Sequence, residues 1–183
     1  MATFVALLRG INVGGHQQVR MADLKELYEA SGCENVATYI QTGNVVFTSN
    51  DTDPTQLASR LEESFAQKFG FRAAVVVRTA AQFNAIIEHN PFQEQLAQEP
   101  KWVVVLFLAG QPAATALTDL RQAYAGPEEF QIIGQEMYLY YPEGIGRSKL
   151  SNVLLAKKLQ TAATARNWNT VLQLQKMLQR ALS

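Results

Sequence analysis

The sequence predicts an α+β protein of two similar half-units packed side by side on mainly antiparallel sheets. Three observations carry the prediction. Residues 3 to 78 alternate short β-rich runs with amphipathic helical runs in the order β-α-β-β-α-β. From residue 102 onward the order β-α-β-β-α begins again. At 183 residues and 48% hydrophobic, the chain can bury one large core or two smaller ones without disulfides.

The first strand is Thr3 to Leu8, an apolar run that ends at Arg9. After a Gly/Asn-rich loop, Met21, Leu24, Leu27 and Tyr28 recur at helical spacing, and Gly32 stands where a helix C-cap belongs. Val36 to Ile40 and Val45 to Thr48 are β-rich and flank Gln41-Thr42-Gly43-Asn44, the sequence of a tight hairpin. Asp53-Pro54-Thr55-Gln56 joins an N-cap, a first-turn proline and a glutamine at the third helical position, and Leu57, Leu61 and Phe65 follow on one face. Phe71, Ala73, Val75 and Val77 then alternate with Arg72 and Arg78 along a fourth strand, completing the ferredoxin-like pattern.

A short helix carrying Phe83, Ile86 and Ile87 leads to the polar, proline-bounded stretch Asn90 to Pro100. Trp102 to Leu108 reads as a buried strand, and Pro112 is expected to open a helix bearing Leu117, Leu120 and Tyr124, which Ala125-Gly126-Pro127 stops. Phe130 to Ile133 and Glu136 to Tyr141 form a hairpin about Gly134-Gln135, and Leu150, Val153, Leu154 and Leu159 mark another helix. The expected organisation is residues 1–78 as the first ferredoxin-like half, 79–100 as a helical connector, and 101–183 as the second half with a C-terminal helix.

The halves differ in two places. From the first strand to the hairpin glycine there are 40 positions in the first half (3 to 43) and 32 in the second (102 to 134), an excess that fits the loop Arg9 to Arg20. At the C-terminus no fourth strand is legible; Thr161 to Thr170 stands in its place, before an amphipathic helix with Val171, Leu174 and Leu178. Segments that a repeat does not need for folding are candidates for function, and both are rich in Gly, Asn, Arg and Thr.

Sixteen basic residues balance sixteen acidic ones, which excludes the whole-molecule positive field of a dedicated DNA coater. The single Cys33 rules out an intramolecular disulfide and a multi-cysteine metal cluster, so the cytoplasm is the expected compartment. No stretch approaches the roughly 20 apolar residues of a membrane span, and Met1 is followed by no basic leader. His16 and His89 lack ligand spacing, and neither a metal nor a cofactor is expected.

Four segments stand out together: Ala6-Leu7-Leu8-Arg9-Gly10-Ile11-Asn12-Val13-Gly14-Gly15, Tyr39-Ile40-Gln41-Thr42-Gly43-Asn44-Val45-Val46-Phe47, Gly146-Arg147-Ser148-Lys149-Leu150 and Thr164-Ala165-Arg166-Asn167-Trp168-Asn169-Thr170. They resemble the bacterial family known as domain of unknown function 1697, over almost the whole chain. The resemblance implies a compact α+β fold of ferredoxin-like halves and supplies no agreed substrate or mechanism.

In that topology strands one and two run parallel with strand three between them, so the first loop and the 41 to 44 hairpin share one sheet edge. Arg9, Asn12, Gly14, Gly15, Gln41, Thr42 and Asn44 are therefore expected as neighbours. A planar guanidinium, paired amide groups and close backbone approach at glycine suit an anionic or nucleotide-like ligand. On the alternative reading the glycines serve turn geometry, and Arg9 and the amides tie two loops together. No dinucleotide or Walker fingerprint is present.

Gly144-Ile145-Gly146 leads into Arg147, Ser148 and Lys149 where a helix is expected to begin, which makes an anion pocket or a simple Ser148 N-cap between surface charges. Arg166 to Thr170 has the residue types of a base-stacking contact, although Asn167 or Asn169 as a helix cap and Trp168 as a plug is the favoured reading; a ligand role for Arg166 fits either. Glu62-Glu63 and Glu128-Glu129 read as solvated faces. The expected function is binding of an anionic ligand (nucleotide, nucleic acid or phosphorylated metabolite) through the Arg9 to Arg20 loop and the Gln41 to Asn44 hairpin, by a monomer or homodimer. The alternatives are an enzyme acting on a small phosphorylated substrate and a protein–protein interaction module.

Overall fold

The computed structural model describes residues 1–183. In chain order the elements are β1 (Ala2–Leu8), α1 (Met21–Ala30), β2 (Glu34–Tyr39), β3 (Asn44–Ser49), α2 (Pro54–Phe69), β4 (Val75–Thr79), α3 (Ala80–Glu88), α4 (Gln93–Gln98), β5 (Val103–Leu108), α5 (Ala116–Ala123), β6 (Glu129–Ile133), β7 (Glu136–Tyr140), α6 (Asn152–Leu159), β8 (Ala163–Asn167) and α7 (Trp168–Leu182). Short 3-10 turns lie at Pro100–Trp102 and Ile145–Arg147. The strands form two four-stranded antiparallel sheets, ordered β2-β3-β1-β4 and β6-β7-β5-β8. The α+β class with two halves of matching connectivity is thus the observed fold. Two compact units emerge, Met1–Ala85 with Leu172–Ser183, and Ile86–Val171. No helix is long and apolar enough to cross a membrane.

In the first unit, β1 is buried at every position after Ala2. Phe4, Ala6 and Leu8 join Leu24, Leu27 and Tyr28 of α1 and Leu57, Leu61 and Phe65 of α2 in one apolar cluster. The helices form for local reasons. Asp53 Oδ1 accepts from the Thr55 and Gln56 amides (2.8 and 3.3 Å) ahead of Pro54 at the first turn, and Gly70 closes α2 in the left-handed conformation. Gly32, at φ 83°, ends α1 and lets the Cys33 amide donate back to the Tyr28 carbonyl (3.0 Å).

The fourth strand is shorter than its alternation suggests and starts at Val75. Phe71 instead packs edge-on against Phe65 at 5.2 Å, and the Val75 amide donates to Glu62 Oε1 (2.7 Å). Glu62 is therefore half-buried and occupied, whereas Glu63 is exposed beside Arg72 (3.3 Å).

The second unit departs from expectation in three places. An eighth strand exists: β8 pairs antiparallel with β5, Arg166 opposite Val105 and Thr164 opposite Phe107. Its inward positions are Thr164 and Arg166 and its outward positions include Ala165 and Asn167, so the hydrophobic alternation that marks a half-buried strand is inverted in polarity. Arg166 matches Arg78 of β4, a buried residue that stands opposite Val5 in the first sheet.

The helix expected from Pro112 begins only at Ala116. Ahead of it the Ala113 amide donates to the Leu159 carbonyl (3.1 Å), which commits that segment to a tertiary contact. Likewise no helix starts at Ser148. The 3-10 turn Ile145–Arg147 ends there, and Ser151 caps α6 by accepting from the Leu154 amide (3.1 Å).

Candidate functional site

The edge where β1 ends is built as a braced loop. The Leu8 amide donates to Gly43 O and the Arg9 amide to Ala74 O, both at 2.9 Å, so the loop leaves the sheet between the β2–β3 hairpin and β4. Ile11 and Val19 are buried and anchor its two ends in the core. Between them the chain folds back on itself: the His16 amide donates to Val13 O (3.0 Å), with Gly14 and Gly15 at φ 59° and 78° forming the left-handed turn. Two consecutive positive φ values are what glycines supply most cheaply.

Asn12 is the central brace. Its Oδ1 accepts from the Val19 amide (2.7 Å), and its Nδ2 donates to Val19 O (2.9 Å) and to Gln41 O (2.8 Å). The last bond ties the long loop to the hairpin across 29 residues of sequence. Within the hairpin Asn44 is fully buried and donates to Tyr39 O (2.9 Å) and Thr42 Oγ1 (3.0 Å). Gly43 has φ 88°, and a Cβ there would stand 2.8 Å from Ile11 Cδ1 and 2.9 Å from Leu8 Cβ. Loop and hairpin thus interlock through Asn12 and the close approach at Gly43, while Asn44 braces the hairpin from within.

The structure brings Arg9, Asn12, Gly14, Gly15, Gln41, Thr42 and Asn44 to one sheet edge. Their roles differ. The Asn12 and Asn44 amides are committed to bracing. Arg9, Gly14, Gly15 and Gln41 are exposed. No carboxylate pairs with the Arg9 guanidinium, while the neighbouring Arg20 is held by Asp23 in a two-pronged contact at 2.8 and 3.0 Å. Arg9 is the uncommitted cation of this edge.

Arg147, Ser148, Lys149 and Arg166 belong to the second unit. Arg147 and Lys149 are exposed, and the Ser148 hydroxyl accepts from the Leu150 amide (3.1 Å). Arg166 is 7% exposed and donates to Thr164 Oγ1 (2.7 Å) and Ala165 O (2.8 Å); burial pulls its pKa down to about 10. Asn167 Oδ1 accepts from the Thr170 amide (2.9 Å) and caps α7, and Trp168 is buried.

Sequence reasoning overlooked a cavity of about 300 Å³ in the second unit, lined in part by Phe92, Arg121, Tyr124, Glu128 and Phe130. Glu128, expected on a solvated face, is 9% exposed, and the Tyr124 hydroxyl donates to its Oε2. Burial pushes the Glu128 carboxyl up, but hydrogen bonding by the nearby Ser148 and Tyr124 hydroxyls and by the backbone amide of Glu128 together outweighs it, and the net direction is down. Tyr124 is raised, first by burial and then by Glu128. Gly126 makes this pair possible, because a Cβ there would meet the Tyr124 hydroxyl and stand 2.6 Å from Glu128 Oε2. A tyrosine and a glutamate four apart around a Gly-Pro stop were the available signal. No three His, Cys, Asp or Glu side chains are grouped to hold a metal.

A family model described as "Protein of unknown function (DUF1697)" matches residues 1–138. Among solved structures, the conserved bacterial protein SP0830 from Streptococcus pneumoniae is similar with a TM-score of 0.77 at 25% identity, over 97% of this chain and 98% of that one. The comparison with curated proteins gives no match.

Proposed function

We propose that this chain, which belongs to the DUF1697 family of proteins of unknown function, binds a compact anionic ligand through the Arg9 to Arg20 loop and the Gln41 to Asn44 hairpin. The ligand class is a nucleotide or phosphorylated metabolite. One observation carries the reading: Arg9 is exposed and unpaired at the end of a buried strand, beside a loop already ordered by Asn12. A guanidinium presents a planar fork to phosphate, and a pre-ordered loop lowers the entropy lost on binding. The exposed Gly14-Gly15 turn adds backbone N–H groups that a ligand can approach closely. A single free cation suits one phosphate group better than the several phosphates a nucleic-acid strand offers.

Thermal denaturation of the intact chain with nucleotides, sugar phosphates and short oligonucleotides tests the reading. A ligand at a hundred times its Kd stabilises the bound unit by about 2.7 kcal/mol, and Arg9→Ala should abolish that gain. No shift with any anion would remove the proposal. Oligonucleotide binding with a steep salt dependence would move it to nucleic acid, and turnover of a bound compound would move it to catalysis.

A second reading rests on Val13 and Ile40, aliphatic side chains 63% and 47% exposed on the same loop and hairpin. They would serve a protein partner or a second copy. Concentration-dependent dimerisation without any anion effect would favour that reading.

A further inference from the structure

Strand β6 is an outer strand of the second sheet and pairs only with β7. The two-residue turn Gly134-Gln135 makes Ile133 and Glu136 a hydrogen-bonded pair, and the regular register carries the alternation on to Gln131 with Tyr138 and Glu129 with Tyr140. The N–H and C=O groups of Phe130 and Ile132 therefore point away from β7, and they bond to nothing else. The other three outer strands are each modified. Strand β2 shifts register between Glu34 and Ala37, with Asn35 at φ 51°. Strands β4 and β8 carry the buried arginines Arg78 and Arg166, whose guanidinium groups donate to Val77 O (3.0 Å) and Ala165 O (2.8 Å). Bulges and inward-pointing charges keep sheet edges from pairing. Strand β6 has neither.

The cavity of about 300 Å³ lies along this open edge. Phe130 faces the helical layer with Met137 and Leu139, and the Arg121 guanidinium lies 5.9 Å from its ring centroid. Glu129 and Gln131 alternate to the opposite face, where Phe92 packs against Tyr140 at 6.1 Å. Residues of both faces line the one cavity, so it opens beside the strand rather than over either face. An extended chain laid there would continue the ladder and send successive side chains to the two walls. Arg121 and Glu129, both exposed and without ion partners, stand on opposite walls.

We infer that β6 is a docking edge for an extended segment of a partner protein that carries, at adjacent positions, an acidic side chain toward Arg121 and a basic one toward Glu129. A second copy of β6 fits less well. In a two-fold antiparallel pairing its Phe130 and Ile132 would meet the Arg121 wall without a carboxylate, and its Glu129 would join the wall that already holds Glu129. The edge lies in the second unit and does not involve Arg9 or its loop, so the two proposals stand or fall separately.

The test uses ¹H–¹⁵N spectra of the intact chain titrated with terminally blocked eight-residue peptides of valine and threonine that carry one aspartate and one lysine at adjacent positions. Before titration the Phe130 and Ile132 amides should exchange rapidly with solvent, and those of Gln131 and Ile133 slowly. Peptide is expected to shift and protect Phe130 and Ile132. N-methylation at alternate peptide positions, in the frame that faces the edge, should weaken binding by roughly twentyfold, the value of two main-chain hydrogen bonds. Arg121→Gln should cost the aspartate peptide about two- to fivefold and its asparagine analogue nothing. The peptide changes leave the protein untouched, so a folding defect in a variant cannot blunt the test. Phe130 and Ile132 amides that stay unmoved at millimolar peptide overturn the proposal, as does binding that survives N-methylation in both frames. Protection of these amides by dimerisation without peptide would assign the edge to a second copy and overturn it too.

Discussion

Replacing Asn12 tests whether the long loop is a preformed element or a passive connector. Three hydrogen bonds leave with the amide, two on Val19 and one on Gln41. The two to Val19 are partly buried and contribute about 1 kcal/mol each, and the exposed one to Gln41 contributes less. Asn12 also sits at φ 54°, which costs alanine about 1 kcal/mol more than asparagine or glycine. Asn12→Ala should therefore lose about 3 kcal/mol and Asn12→Gly about 2 to 2.5, since glycine removes the bonds while tolerating the backbone. Both tryptophans, Trp102 and Trp168, lie in the second unit, so tryptophan fluorescence would follow the wrong part of the chain. Native-state hydrogen exchange of first-unit amides is the suitable assay. The Val19 amide should lose its protection first, because its acceptor is Asn12 Oδ1. Unchanged Val19 protection, or equal stability of the alanine and glycine variants, would refute the reasoning.

Two further outcomes follow from buried polar groups. The Glu128 carboxyl is held below its ordinary value of 4.5, so the stability from the hydrogen bonding that favours its charged form, the Tyr124 bond included, is fully present above that pH and is lost as pH falls through the lowered folded value. Acid titration of second-unit fluorescence should show a steeper loss below about pH 4.5 for the parent chain than for Glu128→Gln, and identical curves would contradict the network. The Tyr28 hydroxyl is buried without a hydrogen-bond partner. Tyr28→Phe should be neutral or stabilising by about 1 kcal/mol in first-unit exchange, and a clear destabilisation would show that the hydroxyl has a partner.

Much of the fold was legible because local chemistry and tertiary role coincide. Asp53 and Pro54 begin α2 where cap rules place it, and the strands of the two hairpins carry apolar or β-branched residues. The failures have one physical root, in that tertiary contacts override local pattern. Strand β8 was hidden because its inward residues are Thr164 and Arg166, whose burial depends on partners far along the chain. Ser148 and Ser151 have equal intrinsic capping ability, and the Ser148 hydroxyl is taken up by the Leu150 amide in the turn that precedes α6, which leaves Ser151 to cap the helix. At the candidate site, the shared edge of loop and hairpin followed from strand order alone. The division of labour there did not, since nothing local separates Asn12, a brace across 29 residues, from Arg9, an exposed and unpaired cation.

Whether this edge receives an anion is read most directly from backbone chemical shifts. The intact chain is titrated with inorganic phosphate and with a nucleoside triphosphate while ¹H–¹⁵N spectra are recorded. Shifts are expected only in the Arg9 to Arg20 loop and the Gln41 to Asn44 hairpin, with the Gly14 and Gly15 amides among the largest, all abolished by Arg9→Ala. Loop amides that stay in place, or shifts that persist unchanged in Arg9→Ala, would contradict it.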